Sequence, residues 1–419
     1  MARSLAKDCI PSGWKYDLLD KFATRCSGHT PSKSFPEYWD GGIKWISLAD
    51  SFRLDKGYVY ETDKEISKAG IANSSAELHP AETVVLSRDA GIGKSGVMAV
   101  PMAVSQHFIA WKCDNTEKLN SWFLYNWLQL NKAEFERQAV GSTIKTIGLP
   151  YFKKLKIAVP PYTEQKKIAQ ILSTWDKAIT TTEQLLYNSK LQKKALMQQL
   201  LTSKKRFPRF EGIWKKYTLG ELGDTFNGLT GKTKDDFGFG KKYIPYINIF
   251  KNSRIDVSAL ELVDVKEGES QSLSQYGDIF FTTSSETPDE VGMSSVLLDH
   301  VDELYLNSFC FGYRLFGFES LHPEFAQYLL RSEHVRGEIA VLGQGATRYN
   351  LSKKQLMKLE ITLPLVDEQK KIASVLSCAD QEIESLKSQL DGLKQEKKSL
   401  MQQLLTGKRR VKIDNKEVA

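Results

Sequence analysis

The chain has 419 residues, of which 41% are hydrophobic and 26% charged, and a formal net charge of +7, values that suit a globular protein with two or three full cores. No apolar run approaches the ~18 residues that a membrane span needs, and Met1 to Asp8 lacks the apolar centre of a signal peptide, so a cytoplasmic protein away from the membrane is expected. The cysteines (Cys9, Cys26, Cys113, Cys310 and Cys378) are scattered without a Cys-x-x-Cys pair, which suggests buried free thiols and neither a disulfide framework nor a metal site.

In chain order, residues 1–160 alternate short β-rich runs with turns. Pro11 to Lys15 starts the segment, Gly28-His29-Thr30-Pro31 is a turn, and Ile43–Ile46 and Glu82–Ser87 are strands. Trp122–Leu130 is helical, Gly141 to Lys145 is a polar loop, and Tyr151–Val159 leads into a long helix over 161–206. Pro208 is expected to stop that helix. Residues 207–363 repeat the plan: Trp214-Lys215 echoes Trp14-Lys15, Gly228-Leu229-Thr230 echoes Gly28-His29-Thr30, and Ile244 to Ile247 echoes Ile43 to Ile46. Gly277 to Ser284 stands where the first half has Glu82 to Ser87, and Gly345 follows Gly141 by the same interval as the helical strings below. A second long helix covers 364–410, and 411–419 is a tail.

The long segments carry the plainest signal. Glu164-Gln165-Lys166-Lys167-Ile168-Ala169 returns as Glu368 to Ala373, and Met197-Gln198-Gln199-Leu200-Leu201-Thr202 returns as Met401 to Thr406, with one offset and no gap. A fixed length without proline is the mark of a helix. Steps of 4 and 3 from Ile168 run through Leu172, Trp175, Ile179, Thr182, Leu186, Ser189, Lys193 and Leu196 to Leu200; from Ile372 they run through Leu376, Ala379, Ile383, Leu386, Leu390, Leu393, Lys397 and Leu400 to Leu404. This is a heptad seam. Two amphipathic core helices would give part of the pattern, but the length of the seam and a lysine at the same heptad position in each copy favour a pair of long helices, because a polar seam residue commonly fixes register.

Two long helices, each following a proline-bearing lead (Val159-Pro160-Pro161-Tyr162-Thr163-Glu164-Gln165 and Leu363-Pro364-Leu365-Val366-Asp367-Glu368-Gln369) and each ending in Leu-Leu-Thr, resemble the specificity subunit of type I restriction-modification enzymes over almost the whole chain. The resemblance implies an α+β protein with two similar α/β target-recognition domains separated by two long antiparallel coiled-coil helices, an internal pseudo-two-fold. It further implies that each domain reads half of a bipartite, asymmetric site in double-stranded DNA, and that two methylation subunits and the restriction subunits join the chain. The alternative is a coiled-coil scaffold without sequence-specific DNA binding.

Charge is distributed unevenly. The first half and both helical segments are basic, whereas 207–364 carries more acidic than basic residues, so DNA binding there needs its basic side chains gathered on one face. The basic string Lys204-Lys205-Arg206 and its repeat Lys408-Arg409-Arg410 suit either DNA contact or the negative end of a helix.

Motifs for chemistry are incomplete. Gly91-Ile92-Gly93-Lys94-Ser95 ends like a phosphate-binding loop, but Arg88 stands where its first glycine belongs. Val159-Pro160-Pro161-Tyr162 resembles the signature of amino-methyltransferases with valine in place of the residue that must accept a hydrogen bond from the amine. Pro288-Asp289 lacks a downstream Glu-x-Lys, and the six histidines form no ligand or nucleophile pairing. A non-catalytic binding subunit without a cofactor is expected. Candidate DNA contacts are the loop residues Thr30, Lys33, Arg88, Lys94, Ser142, Thr143 and Lys145 in the first half and Thr230, Lys232, Lys234, Arg348, Tyr349 and Asn350 in the second. Candidate partner contacts are Ile171, Leu185, Glu164, Gln165, Glu368 and Gln369.

Overall fold

In the computed structural model, residues 10–113, 117–141, 145–345 and 347–413 are described. They form two compact units, one made of residues 1–183 and 388–419 and the other of 184–387. The boundaries therefore fall inside both long helices, Tyr162–Leu200 and Val366–Leu404. No helix among the described residues is long and apolar enough to cross a membrane.

The first unit is built on a five-stranded sheet in the order Thr24–Ser27, Phe108–Lys112, Val84–Ser87, Ser95–Met98, Tyr58–Val59, antiparallel except for the last pair. A three-stranded sheet places Trp39–Ile46 between Lys64–Ile66 and Ala103–Val104. Lys15–Leu18 pairs with Lys156–Val159, Tyr16 opposite Ala158, and so closes the start of the segment onto its end just before the long helix begins. The second unit has the same parts. Its four-stranded sheet runs Gly223–Asn227, Cys310–Leu315, Ile279–Thr282, Ser294–Val296; Phe237–Ile244 lies between Glu261–Val263 and Tyr305–Leu306; and Lys215–Thr218 pairs with Glu360–Leu363. A further small sheet joins Ser284–Ser285, Tyr349–Leu351 and Gly343–Gln344.

Strand register corrects one expected correspondence. Ile46 pairs with Val104 and Ile244 with Leu306, so Ile244 corresponds to Ile46 rather than to Ile43. Pro245 has no N–H for a ladder, and the chain turns there into the helix Tyr246–Lys251. Pro208 does not end the first long helix either. The helix stops at Leu200, and Ser203 takes φ +56°; at the end of the second helix Gly407 takes φ +70°. A left-handed residue reverses the chain before the proline is reached.

The seam is real in both helices: each residue of the two heptad series is buried or half-buried. In the first unit Ile168 and Leu172 share a core with Met401, Leu404 and Leu405, together with Phe123, Phe152 and Ile157 of the sheet-bearing segment. In the second, Leu200 and Leu201 share a core with Ile372, Ala373 and Leu376. The seam lysines each meet an aspartate from the other long helix, Lys397 with Asp176 in the first unit and Lys193 with Asp380 in the second. Glu183 meets Lys394 at 2.8 Å, so the stretches run in opposite directions within the first unit. Ser189 Oγ, one turn from Lys193, donates to Glu382 at 3.0 Å and gives the same sense within the second.

The repeated string at each helix start is a fastening. Arg410 donates through Nε and Nη2 to the two carboxylate oxygens of Glu164, both at 2.7 Å, and through Nη1 to Ser12 O. Arg206 does the same to Glu368, at 2.9 and 2.7 Å, and to Gly212 O. Gln165 accepts from Asn120 N and donates to Lys118 O and Pro160 O; Gln369 accepts from His322 N and donates to Ser320 O and Pro364 O. Asn120 and His322 are the N-caps of the helices Ser121–Leu130 and Pro323–Leu329. Each glutamine thus bolts a long helix to the start of a shorter one.

Removing one partner from such a pair strands a buried carboxylate. Arg206→Met should cost about 2–3 kcal/mol, and Arg206→Met with Glu368→Gln should cost less than the sum of the single changes, because the neutral amide no longer needs a cation. Equilibrium urea unfolding of the four proteins in the cycle measures this, and strict additivity would mean that the pair is not coupled.

Candidate nucleic-acid interface

In each unit a glycine sets the first candidate loop. A Cβ on Gly28 would lie 1.9 Å from Val104 O, and one on Gly228 2.1 Å from Asn307 O, so only glycine lets the backbone pass there. His29 N then donates to Val104 O at 3.0 Å, and Leu229 N to Leu306 O at 2.8 Å. The threonine that follows is held at the same place in both frames.

In the first unit Thr30 Oγ1 donates to Gln106 Oε1. Gln106 Nε2 approaches His107 Nε2 at 3.4 Å, and His107 Nδ1 donates to Asp89 Oδ2 at 2.5 Å. Asp89 also accepts from Thr146 Oγ1 and lies 3.8 Å from Arg88 Nε. Backbone bonds reinforce the row, Arg88 N to His107 O at 3.0 Å and Ile147 N to Arg88 O at 2.9 Å. Three loops distant in sequence are stitched together through one carboxylate.

A second group in this unit is cationic. Lys94, Lys132 and Lys145, with Glu136, Gly91 and Ile92, line a cavity of about 280 Å³. Lys94 Nζ donates to Ser51 O at 3.1 Å and Lys132 pairs with Asp55 at 2.6 Å, whereas Lys145 is exposed. The chain from Gly91 leads into the strand Ser95–Met98, so the loop does not deliver its amides to a helix start as a phosphate cradle would. Lys33 is exposed and belongs to neither group. Ser142 and Thr143 lie outside the described residues.

The second unit arranges its candidates differently. Thr230 N donates to Gln271 Oε1 at 3.0 Å, and Gln271 Nε2 returns a bond to Thr230 O at 2.8 Å. Lys232 Nζ donates to Glu269 Oε2 at 2.6 Å. Lys232, Gln271 and the Lys266 amide together hold the Glu269 carboxyl down to about 2, well below the usual range. Arg348, Tyr349 and Asn350 form another group: Arg348 Nε donates to Ser284 Oγ at 3.1 Å, Asn350 is paired with Ser284 and Tyr349 with Ser285. Among the described residues the guanidinium of Arg348 has no acidic partner. Lys234 is exposed at a short 3₁₀ turn.

Gln106, His107 and Asp89 in the first unit, and Gln271, Glu269 and Ser284 in the second, were not identified from sequence. The only signal was the threonine after each glycine, since the glutamine that binds it comes from a different loop in each half. The arrangement offers amide, hydroxyl and guanidinium groups suited to bidentate recognition. It does not suit hydrolysis: the His107–Asp89 pair presents its second nitrogen to Gln106, and Thr146 bonds the aspartate instead.

The candidate partner residues divide. Glu164, Gln165, Glu368 and Gln369 have at most 1% exposure and bond internally, so the reading of these four as partner contacts gives way to a structural one. Ile171 packs against the core of the first unit. Leu185 is 50% exposed, with Tyr187 at 58% and Leu191 at 49% on the same helix of the second unit.

The chain matches, over residues 11–188 and 212–395, the family described as the type I restriction modification DNA specificity domain. It is 25% identical to the type I restriction enzyme MjaVIII specificity subunit of Methanocaldococcus jannaschii, over 96% of this chain and 94% of that one. Its fold is that of the type I restriction-modification S subunit from M. genitalium, with a TM-score of 0.56, 16% identity and 97% of each chain covered. A chain solved in a study of assembly and conformational transition of the type I restriction-modification system gives a TM-score of 0.58 at 16% identity, over 94% of this chain and 98% of that one.

Asp89→Ala removes the acceptor shared by His107 and Thr146 and should destabilise the first unit by about 2 kcal/mol. Hydrogen exchange followed by mass spectrometry should show faster exchange at residues 145–148 with the strand Val84–Ser87 still protected. Unchanged exchange in the loop would mean that Asp89 does not hold it.

Proposed function

The chain belongs to the family of type I restriction-modification DNA specificity domains, and we propose that its two units each read one part of a bipartite, asymmetric site in double-stranded DNA. The observation that carries this reading is a repeated frame with unlike loops. Gly28-x-Thr30 and Gly228-x-Thr230 are placed by the same backbone approach, yet Thr30 is joined to a Gln–His–Asp row and Thr230 to a Gln–Glu–Lys group. Loops on a rigid frame are where sequence reading is placed. A scaffold alone would give no reason for such polar loops.

In this reading Arg88 and Arg348 are the guanidinium groups offered to bases, Lys33, Lys94, Lys145 and Lys234 face phosphates, and Thr30, Thr230, Tyr349 and Asn350 complete the readers. Lys232 orders the second loop through Glu269. The two long helices act as an antiparallel coiled-coil spacer between the readers. The chain has no catalytic role of its own; two methylation subunits dock on the long helices and restriction subunits join through them, in the cytoplasm.

Exchanging residues 15–150 for the equivalent segment of a related chain should change one half of the methylated motif and leave the other intact. Single-molecule methylome sequencing of cells expressing the hybrid with its methylation partner reads this out, and a change in both halves would overturn the two-reader assignment.

Leu185, on one flank of the seam, is the exposed apolar position best suited to a methylation subunit; Tyr187 and Leu191, two and six residues on, are exposed on the opposite flank. Leu185→Glu should lower copurification with that subunit at least tenfold, because a carboxylate buried in an apolar contact is costly, with no change in the thermal unfolding of the chain alone. Ile171 is unsuitable for this test because it serves the core. Full association of a folded Leu185→Glu chain would place the docking surface elsewhere.

A further inference from the structure

Away from the candidate loops, the first unit gathers three side chains of metal-ligating type. Cys26 lies on the edge strand Thr24–Ser27 of the five-stranded sheet. His79 lies on a segment tied to Met102 by paired backbone bonds, His79 N to Met102 O at 2.8 Å and Met102 N to His79 O at 3.0 Å. Glu77 precedes it on the same segment. The Cys26 sulfur, a Glu77 oxygen and a His79 ring nitrogen all lie within 4.8 Å of one another.

The imidazole is the telling member. His79 is wholly buried, and neither ring nitrogen meets a protein partner. Leaving such a group unsatisfied costs about 1–3 kcal/mol, so a ring held there by backbone bonds on both sides is aimed at something it can ligate. Ligands of one zinc ion, at about 2.0–2.3 Å from the metal, are roughly 3.3–3.8 Å apart in a tetrahedral set. Cys26 is half-buried and Glu77 exposed, so a small movement of the glutamate closes the set. The place already attracts positive charge, since Lys112, opposite Thr24 in the sheet, donates from Nζ to Glu77 Oε2 at 3.1 Å.

The second unit secures the corresponding place by other chemistry. Phe226 is paired with Gly312 as Cys26 is with Ala110, Arg314 stands opposite Asp224 as Lys112 does opposite Thr24, and Ser274 bridges to Leu304 as His79 does to Met102. There Arg314 pairs with Asp278 at 2.6 Å and lies 4.9 Å over the ring of Phe226. No thiol or imidazole stands at those positions.

We infer that Cys26, Glu77 and His79 form a zinc site peculiar to the first unit, one ion per chain, which ties the edge strand Thr24–Ser27 to the segment 77–79. Thiolate, imidazole and carboxylate are the donors zinc prefers, and a water completes the four. On binding, the Cys26 thiol releases its proton to solvent and the Lys112 ammonium withdraws toward solvent, which its partly exposed side chain permits.

The test uses the full chain stripped with a chelator and titrated with Co²⁺. One equivalent should produce the near-ultraviolet thiolate-to-cobalt charge-transfer band, and Zn²⁺ should abolish it by displacement and raise the unfolding temperature with concentration. Cys26→Ser should lose the band, and Glu77→Gln, an exposed change that spares the core, should weaken Zn²⁺ at least tenfold. Lys112→Met should bind Zn²⁺ as tightly as the parent or more so, having lost the competing cation. A folded parent chain that gives no charge-transfer band, or a Cys26→Ser chain that keeps the parental Zn²⁺ affinity, would overturn the site.

Discussion

Each unit depends on one ion pair. The guanidinium at the end of one long helix grips the carboxylate at the start of the other, Arg410 on Glu164 in the first unit and Arg206 on Glu368 in the second. The geometry is bidentate, and both glutamates are sealed from water, so the attraction is little screened. Position matters as much as strength. The glutamate sits in the first helical turn, where a negative charge also suits the macrodipole, and the arginine lies past a left-handed residue where the other helix has ended. The third N–H of each arginine reaches a backbone carbonyl near the start of a unit's sheet-bearing segment, at Ser12 or Gly212. Helix start, helix end and the first strand are thereby located by a single side chain, and the seam, the bolting glutamine and the sheet then have only one register to adopt.

A frame fixed in this way leaves the loops free to vary chemically. Among the acids of residues 207–364, Glu333 is matched by Lys194 from outside the segment, whereas Glu269 and Asp278 are matched by Lys232 and Arg314 from within it and leave its acidic excess unchanged. Arg348, just before the strand Tyr349–Leu351, carries an unneutralised guanidinium bonded to the Ser284 hydroxyl. Local placement of charge, not the sum over the segment, decides what the surface can attract.

The seam was legible in the sequence because a period of 3.5 survives in the letters whatever the helix packs against, and the constant offset revealed which residues do the same work twice. The glycine before each threonine was legible for a similar reason, as a local backbone demand. The roles of Glu164, Gln165 and their repeats were not: polar letters at a helix start look alike whether they face solvent or an arginine 246 residues away. Thr30 finds its partner 76 residues on and Asp89 finds Thr146 57 residues on, distances over which no spacing rule operates. The Cys26, Glu77 and His79 group was hidden in the same way. Ile171 and Leu185 show the limit of the heptad itself, which separates seam from flank but cannot tell a flank covered by a domain core from one left bare.

The division of the chain also sets an order in time. The second unit is one continuous stretch, 184–387, whereas the first needs residues from 388 onward to complete it. A ribosome therefore releases everything the C-terminal unit requires before it releases Met401, Leu404, Leu405 and Arg410, on which the N-terminal unit closes. Until then Ile168 and Leu172 have no apolar cover from the second helix and Glu164 has no cation. Closing a contact between Ser12 and Arg410, 398 residues apart, is among the slowest kinds of step a chain can take. The part of this protein that is made first is thus the part that finishes folding last, and in that interval its open seam is the surface most exposed to mispairing with a second nascent chain.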